Sequence, residues 1–79
     1  MAGNAGRHEL VALGHAVRGR RLSLGYSQER LAEESGLHER YISDVERGRR
    51  NIGFLNLIRL AKALQLDLSA FATKVEEGL

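Results

Sequence analysis

Residues 27–48 read SQERLAEESGLHERYISDVERG and predict two short helices, over residues 27–35 and 38–47, that are joined by a tight turn. Ser27 is a suitable N-cap, because its hydroxyl can accept a hydrogen bond from a free backbone N–H of the first turn. Gly36 suits the left-handed backbone conformation that ends a helix without a clash of Cβ. A turn of three or four residues that contains glycine is typical of a helix-turn-helix motif.

The second of these helices has an apolar side and a polar side. Ile42 and Val45 share one side on a 3.6-residue period. The opposite side carries Arg40, Ser43, Asp44 and Arg47, with Glu39 at its edge. A helix that reads a DNA groove needs such an apolar back and a front of hydrogen-bonding side chains. Glu46 lies close to the buried side and needs a partner, because an unpaired buried charge is costly.

The composition allows one small domain and excludes several kinds of site. A chain of 79 residues can form one domain with a small core. It contains no cysteine, which excludes disulfides and thiolate metal sites. His8, His15 and His38 lack the further ligands of a metal site, so no metal is expected. No apolar run resembles a membrane span or a signal peptide, which predicts a cytoplasmic protein.

The charge is weakly basic and unevenly distributed. The formal net charge is +2 at pH 7, and ten of the twelve basic residues are arginine. Residues 1–50 hold nine of the basic and seven of the ten acidic residues, so the surplus lies in the half with the helix-turn-helix. Arginine suits bidentate contacts with phosphate or guanine, although a GC-rich genome would also favour arginine codons. Net charge alone therefore does not assign a DNA target.

The rest of the chain predicts an all-α, compact five-helix domain over residues 8–79, preceded by a flexible segment over residues 1–7. The first helix spans residues 8–23, where Gly14 lowers helix propensity and would allow close helix packing. The fourth and fifth helices span residues 54–64 and 68–77. One face of the fourth carries Phe54, Leu57, Ile58, Ala61 and Leu64. Leu55 lies outside that face. A helix whose apolar residues extend beyond one stripe usually packs against two neighbours, and we expect the second neighbour of this helix to be another subunit.

Several short motifs carry a family resemblance. They are Ser27-Gln28, Leu31-Ala32, Gly36, Tyr41-Ile42-Ser43 and residues 45–51, VERGRRN. Together they resemble the phage-repressor (Cro-like, XRE) family of helix-turn-helix proteins, over residues 10–71. The chain length and the YIS and ERGRRN motifs are also similar to the small controller proteins of bacterial restriction–modification systems.

The resemblance implies a set of DNA contacts. It places base contacts on Glu39, Arg40, Ser43 and Asp44, and phosphate contacts on Gln28, His38, Tyr41, Arg47, Arg49, Arg50 and Asn51. Arg40 is the best candidate for base discrimination, because arginine can bind O6 and N7 of guanine with two hydrogen bonds. The alternatives are a solvated helix face with pairs such as Arg40–Asp44, a simple polar first turn at Gln28, and a solvated basic loop.

The resemblance also implies three structural features. Arg21 is expected to pair with Glu46 and thereby fix the recognition helix, the alternative being a solvated arginine. Gln65 stands where the family usually has glycine, which predicts a strained connection before the last helix. The dimer interface of the family lies in the C-terminal region, and the candidates for it are Leu55, Leu66, Phe71 and Val75. Each of these four could instead close the monomer core.

The predicted function is a sequence-specific transcriptional regulator that binds double-stranded DNA as a homodimer on a palindromic operator, with half-sites about one helical turn apart. A restriction–modification controller, an antitoxin and a phage-type repressor all fit this description. The alternative from a different class is a protein-interaction module on the same scaffold. The sequence shows no carboxylate pair, nucleophile–base constellation or glycine-rich phosphate loop, so no enzyme, cofactor or small-molecule ligand is expected.

Overall fold

A computed structural model describes residues 6–79 and contains five α-helices in that range. They are α1 (Arg7–Ser23), α2 (Gln28–Ser35), α3 (Glu39–Glu46), α4 (Phe54–Ala63) and α5 (Leu68–Glu77). The prediction of an all-α, five-helix fold is confirmed, and each boundary lies within one residue of its predicted position. Of the segment predicted to be flexible, residues 1–5 lie outside the described residues, whereas Gly6 caps α1 and Arg7 begins it.

The helices pack around a core to which all five contribute. The buried cluster comprises Leu13, Val17, Leu31, Ile42, Val45, Leu60, Ala61, Ala63, Leu64 and Phe71. α1 packs on α3 and α5, and α2 packs on α3 and α4. Ile42 and Val45 are fully buried, as the apolar side of α3 predicted. This packing leaves the opposite, polar side of α3 at the surface. No helix among residues 6–79 has the length and apolar character needed to cross a membrane.

The two phenylalanines occupy opposite environments. Phe54, predicted to share one face of α4 with Leu57 and Leu64, is 68% exposed at the start of that helix. Phe71, predicted at the dimer interface, is 1% exposed and belongs to the monomer core, which corrects that assignment. Leu55 is exposed, while Leu66 and Val75 are partly buried against the core. Periodicity shows which residues share a helix face but does not show which face meets the core, and this explains the wrong assignment of Phe71.

Four helices end in the same backbone turn, in which an N–H group donates to the carbonyl five residues earlier. The donor–acceptor pairs are Tyr26 to Arg21, Leu37 to Ala32, Arg49 to Asp44, and Leu66 to Ala61. The residue before each donor adopts a left-handed conformation. Glycine occupies that position in the first three turns, but Gln65 occupies it in the fourth, with φ 61°. Gln65 is the one non-glycine residue with positive φ among residues 6–79, and a side chain there is strained.

We expect Gln65→Gly to raise the free energy of unfolding by about 0.5–1 kcal/mol, because glycine adopts the left-handed region without a Cβ clash. The substitution also removes an exposed hydrogen bond, which the Gln65 amide donates to the Tyr26 hydroxyl at 3.2 Å. Gln65→Ala is the matched control, since it removes the same hydrogen bond but keeps Cβ, and it should be less stable than wild type. Urea denaturation measures both. If the glycine variant is no more stable than the alanine variant, the left-handed backbone of Gln65 is not strained.

Candidate nucleic-acid interface

The turn between α2 and α3 is held by backbone and serine hydrogen bonds. Ser27 caps α2, with its Oγ accepting from the Arg30 backbone N–H at 2.9 Å. Gly36 ends α2 with φ 74°, and its N–H donates to the Ala32 carbonyl at 2.9 Å. The buried Ser35 accepts from the Leu37 N–H at 3.3 Å. These contacts fix the direction in which α3 leaves the turn.

The outward side of α3 presents the residues that were predicted to contact bases. The Arg40 side chain is 88% exposed, and its Nε lies 3.7 Å from Oδ1 of Asp44. That distance is an ion pair but is too long for a good hydrogen bond, so the guanidinium N–H donors of Arg40 face solvent. Glu39 is exposed beside it, and Ser43 is half-buried. The surface therefore offers both donors and acceptors to a ligand.

Behind this surface, Arg21 and Glu46 form a bidentate ion pair that connects α1 to the last turn of α3. Arg21 Nε donates to Glu46 Oε2 at 2.6 Å, and Nη2 donates to Oε1 at 2.9 Å. The two side chains are only 8% and 4% exposed. The remaining nitrogen, Nη1, donates to the Tyr26 carbonyl at 2.8 Å. The guanidinium is thus bonded through all three of its nitrogens, which anchors the end of α3 to α1.

The ionisation of Arg21 follows from this geometry. The hydrogen bond to Glu46 raises the pKa of Arg21, burial opposes the increase, and Coulomb attraction to Glu46 adds to it. A cation whose pKa is raised on folding contributes stability at every pH below its ordinary value and loses it only above. Arg21 therefore stays charged at neutral pH, and its contribution to stability does not vary there.

Gln28 is a third member of the Arg21–Glu46 cluster, a role that the sequence did not predict. Its Nε2 donates to Glu46 Oε1 at 3.0 Å. An amide nitrogen carries two N–H donors, so one remains available for the phosphate contact predicted at Gln28. Arg18 and Arg47 line the same cleft. One feature of the sequence could have indicated this contact. Gln28 lies in the first turn of α2, and a helix-turn-helix places that turn against the end of α3.

Tyr41 lies at the other end of α3, in a groove between α3 and the start of α4. Its hydroxyl accepts a hydrogen bond from Asn56 Nδ2 at 3.2 Å. The guanidinium carbon of Arg50 lies 4.7 Å from the centre of its ring, in cation–π contact. His38 also borders this groove, and it caps α3 without a side-chain hydrogen bond. Asn56 is a polar residue of the site that the sequence did not predict.

The other phosphate candidates occupy the loop after α3. Arg47, Arg49, Arg50 and Asn51 are all exposed. Arg47 lies in the cleft beside the Arg21–Glu46 cluster, and Arg50 lies in the groove beside Tyr41. Asn51 instead borders an apolar groove between α1 and α5. The structure therefore places Arg47 and Arg50 in two separate clefts beside α3, whereas Asn51 is set apart from them.

Comparison with known families agrees with this geometry. The family described as Helix-turn-helix matches residues 17–71. The chain belongs to that helix-turn-helix family. This helix-turn-helix protein is 48% identical over 67 residues to "Control protein C.BamHI" of Bacillus amyloliquefaciens, and the match covers 80% of this chain and 83% of that protein. The predicted resemblance to helix-turn-helix regulators and controller proteins is confirmed.

Solved structures of controller proteins share the fold. The crystal structure of the restriction–modification controller protein C.AhdI from Aeromonas hydrophila superposes with a TM-score of 0.76 at 42% identity, covering 78% of this chain and 94% of that one. The controller protein C.Esp1396I, solved as a tetramer with its natural 35 base-pair operator, has a TM-score of 0.82 at 30% identity. That match covers 89% of this helix-turn-helix chain and 92% of the other.

Proposed function

We propose that this protein is a sequence-specific DNA-binding regulator of transcription that acts as a homodimer on a two-fold symmetric operator. The observation that carries the proposal is the solvent-facing side of α3, which presents Arg40 while the buried Arg21–Glu46 pair holds the helix from behind. The operator complex of C.Esp1396I, a protein with the same fold, supports a DNA target. The similarity to the restriction–modification controller protein C.AhdI supports such a controller role, and antitoxins and phage-type repressors are the alternatives.

The charge distribution around α3 supports base reading by its outward side and phosphate binding by the arginines in the clefts beside it. Glu39 and Asp44 would be repelled by phosphates, so acids in this position suit contacts with base edges, such as acceptance from cytosine N4. Arg47 and Arg50 lie in two separate clefts beside the helix and suit contacts with two different phosphates. Phosphate contacts of this kind set the position of the protein, and base contacts set its specificity.

Two exposed apolar side chains support the dimer. Phe54 and Leu55 are adjacent and both exposed at the start of α4. Leu68 is a further exposed leucine, at the start of α5. Adjacent apolar side chains at a surface favour an interface. We place the dimer contact on the surface around Phe54 and Leu55, and a two-fold axis there would set the spacing of the two recognition helices. Leu66 and Val75, which are partly buried, remain candidates for the same contact.

We expect Arg40→Ala to reduce the preference for the selected operator over a scrambled duplex by about 1–3 kcal/mol, because it removes a bidentate contact to guanine. The operator is first selected from a pool of random duplexes. Fluorescence anisotropy at two salt concentrations then measures both affinities, and binding should weaken steeply with salt. Arg30→Ala is the matched control. Arg30 is an exposed arginine of α2 that pairs with Glu34, so this substitution also removes one positive charge, but it should leave the preference for the operator over the scrambled duplex unchanged.

The same selection tests the rest of the proposal. A regulator of this kind selects a two-fold symmetric site and binds it with two protomers, whereas a single protomer on an asymmetric site would contradict the homodimer. Absence of binding to any duplex at low salt would contradict the DNA target. It would favour a protein-interaction module, whose partner would cover the surface around Phe54 and Leu55. Because the proposed target is DNA, we place the protein in the cytoplasm and assign it no catalytic role.

A further inference from the structure

The Tyr41 side chain is held from two directions at the edge of the proposed interface. Arg50 stacks on its ring, and the Asn56 amide donates to its hydroxyl oxygen at 3.2 Å. Tyr41 and Asn56 are both half-buried, while Arg50 is exposed. These three residues come from α3, the loop after it and the first turn of α4. Their contacts therefore connect the recognition helix to the helix that carries Phe54 and Leu55.

The hydrogen bonds define the role of each polar atom. Asn56 Oδ1 accepts from Arg59 Nη1 at 3.5 Å, which leaves Asn56 Nδ2 as the atom that faces Tyr41. A tyrosine hydroxyl has one proton and accepts through its lone pairs. Since Asn56 donates to the oxygen, the hydroxyl proton points away from Asn56 and is available to an acceptor in the groove. The Asp44 carboxylate also borders that groove, where the charges of Arg40 and Arg50 offset it, and among the described residues it makes no hydrogen bond with the Tyr41 hydroxyl.

The acceptor that fits this arrangement is an anionic oxygen. The groove combines the hydroxyl proton of Tyr41 with the positive charge of Arg50, and the exposed His38 lies at its border. A donor and a cation in fixed positions bind a phosphate oxygen with little loss of side-chain entropy. Both polar atoms of the Asn56 side chain form a hydrogen bond within the protein, and one N–H of Nδ2 remains unused. The bond to Tyr41 fixes the direction of the hydroxyl proton, so Asn56 can act through Tyr41; a direct contact of the unused N–H with the ligand is the alternative that a double-mutant cycle distinguishes.

We infer that Asn56 is a positioning residue for DNA binding, which orients the Tyr41 hydroxyl as a donor toward a backbone phosphate that Arg50 also contacts. The inference rests on the proposed function and adds a residue that neither the motif nor the charge pattern assigns. It makes the start of α4 part of the DNA-binding apparatus. Asn56 then affects overall affinity, because a phosphate contact carries no base information.

The test is a double-mutant cycle on the selected operator. Tyr41→Phe should weaken binding about tenfold, the expected effect of losing one hydrogen bond to a charged oxygen. Asn56→Ala should weaken it by about three- to tenfold in the wild-type background. It should have no further effect in the Tyr41→Phe background, because there is no hydroxyl left to orient. The ratio of affinities for the operator and a scrambled duplex should stay constant.

The outcomes separate the inference from the function on which it rests. An Asn56→Ala loss that persists in the Tyr41→Phe background would overturn the positioning role, since Asn56 would then act independently of the hydroxyl. Wild-type binding to the operator with no loss in Asn56→Ala would overturn it as well, leaving the proposed function intact. Wild-type protein that binds no duplex would overturn both. Asn56→Ser, whose shorter side chain does not span the distance to Tyr41, should reproduce the alanine result, and urea denaturation checks that each variant is folded.

Discussion

Glu46→Ala should lower the free energy of unfolding by about 3–5 kcal/mol, because it leaves the buried Arg21 guanidinium without its counter-charge. Removal of the carboxylate deletes two hydrogen bonds from Arg21 and the one that Gln28 donates. A small domain has a total stability of roughly 5–15 kcal/mol. The expected loss is therefore a large fraction of the total free energy of unfolding, and urea denaturation should show a clearly lower midpoint.

An exposed ion pair on α2 provides the control. Arg30 and Glu34 lie 2.9 Å apart on α2, but both side chains are well exposed. Glu34→Ala removes a carboxylate from an arginine, as Glu46→Ala does, and should leave stability almost unchanged because water solvates the arginine that remains. Equal effects of the two substitutions would show that solvent reaches Arg21 through the adjoining cleft. Glu46→Gln keeps the shape of the side chain and one acceptor oxygen, but it places an NH2 donor against the N–H groups that the carboxylate accepts from. Its effect on stability should fall between those of the other two substitutions.

Gly14→Ala should destabilise the protein by about 2–3 kcal/mol through a clash between α1 and α3. A Cβ on residue 14 would lie 2.6 Å from the carbonyl oxygens of both Val45 and Glu46. These are backbone atoms in the last turn of α3, so no side-chain rotation relieves the contact, and the two helices must separate. The element displaced is the recognition helix. We therefore also expect weaker binding to the operator than the unfolded fraction alone explains.

Gly19→Ala is the control in the same helix, and it should change the free energy of unfolding in the opposite direction. A Cβ at residue 19 would meet no atom within 4 Å. Alanine is favoured over glycine in an exposed helix by about 0.5–1 kcal/mol, so Gly19→Ala should stabilise the protein by that amount. Thermal denaturation of the two variants compares them directly. Stabilisation by Gly14→Ala as well would contradict the close approach of α1 and α3.

The sequence determined the helices, their ends and their faces, because the signals for these are local. The hydroxyl of Ser27 and the position of Gly36 mark the limits of α2, and both act on backbone atoms within a few residues. The 3.6-residue period likewise identified the buried side of α3 from Ile42 and Val45 alone. The need of Glu46 for a partner followed from the same period, although only the resemblance to a known family identified Arg21 as that partner.

Tertiary structure alone decided which apolar faces are covered and which polar side chains meet. Phe54 and Phe71 are equally hydrophobic and both lie on helices, yet the packing of α4 and α5 leaves the first exposed and buries the second. The contacts of Gln28 with Glu46 and of Asn56 with Tyr41 join residues 18 and 15 positions apart. Periodicity and capping rules concern residues that are close in sequence, so they do not predict contacts between residues so far apart in the chain. Those contacts exist only because the helices pack at one particular set of angles, which is a property of the whole core.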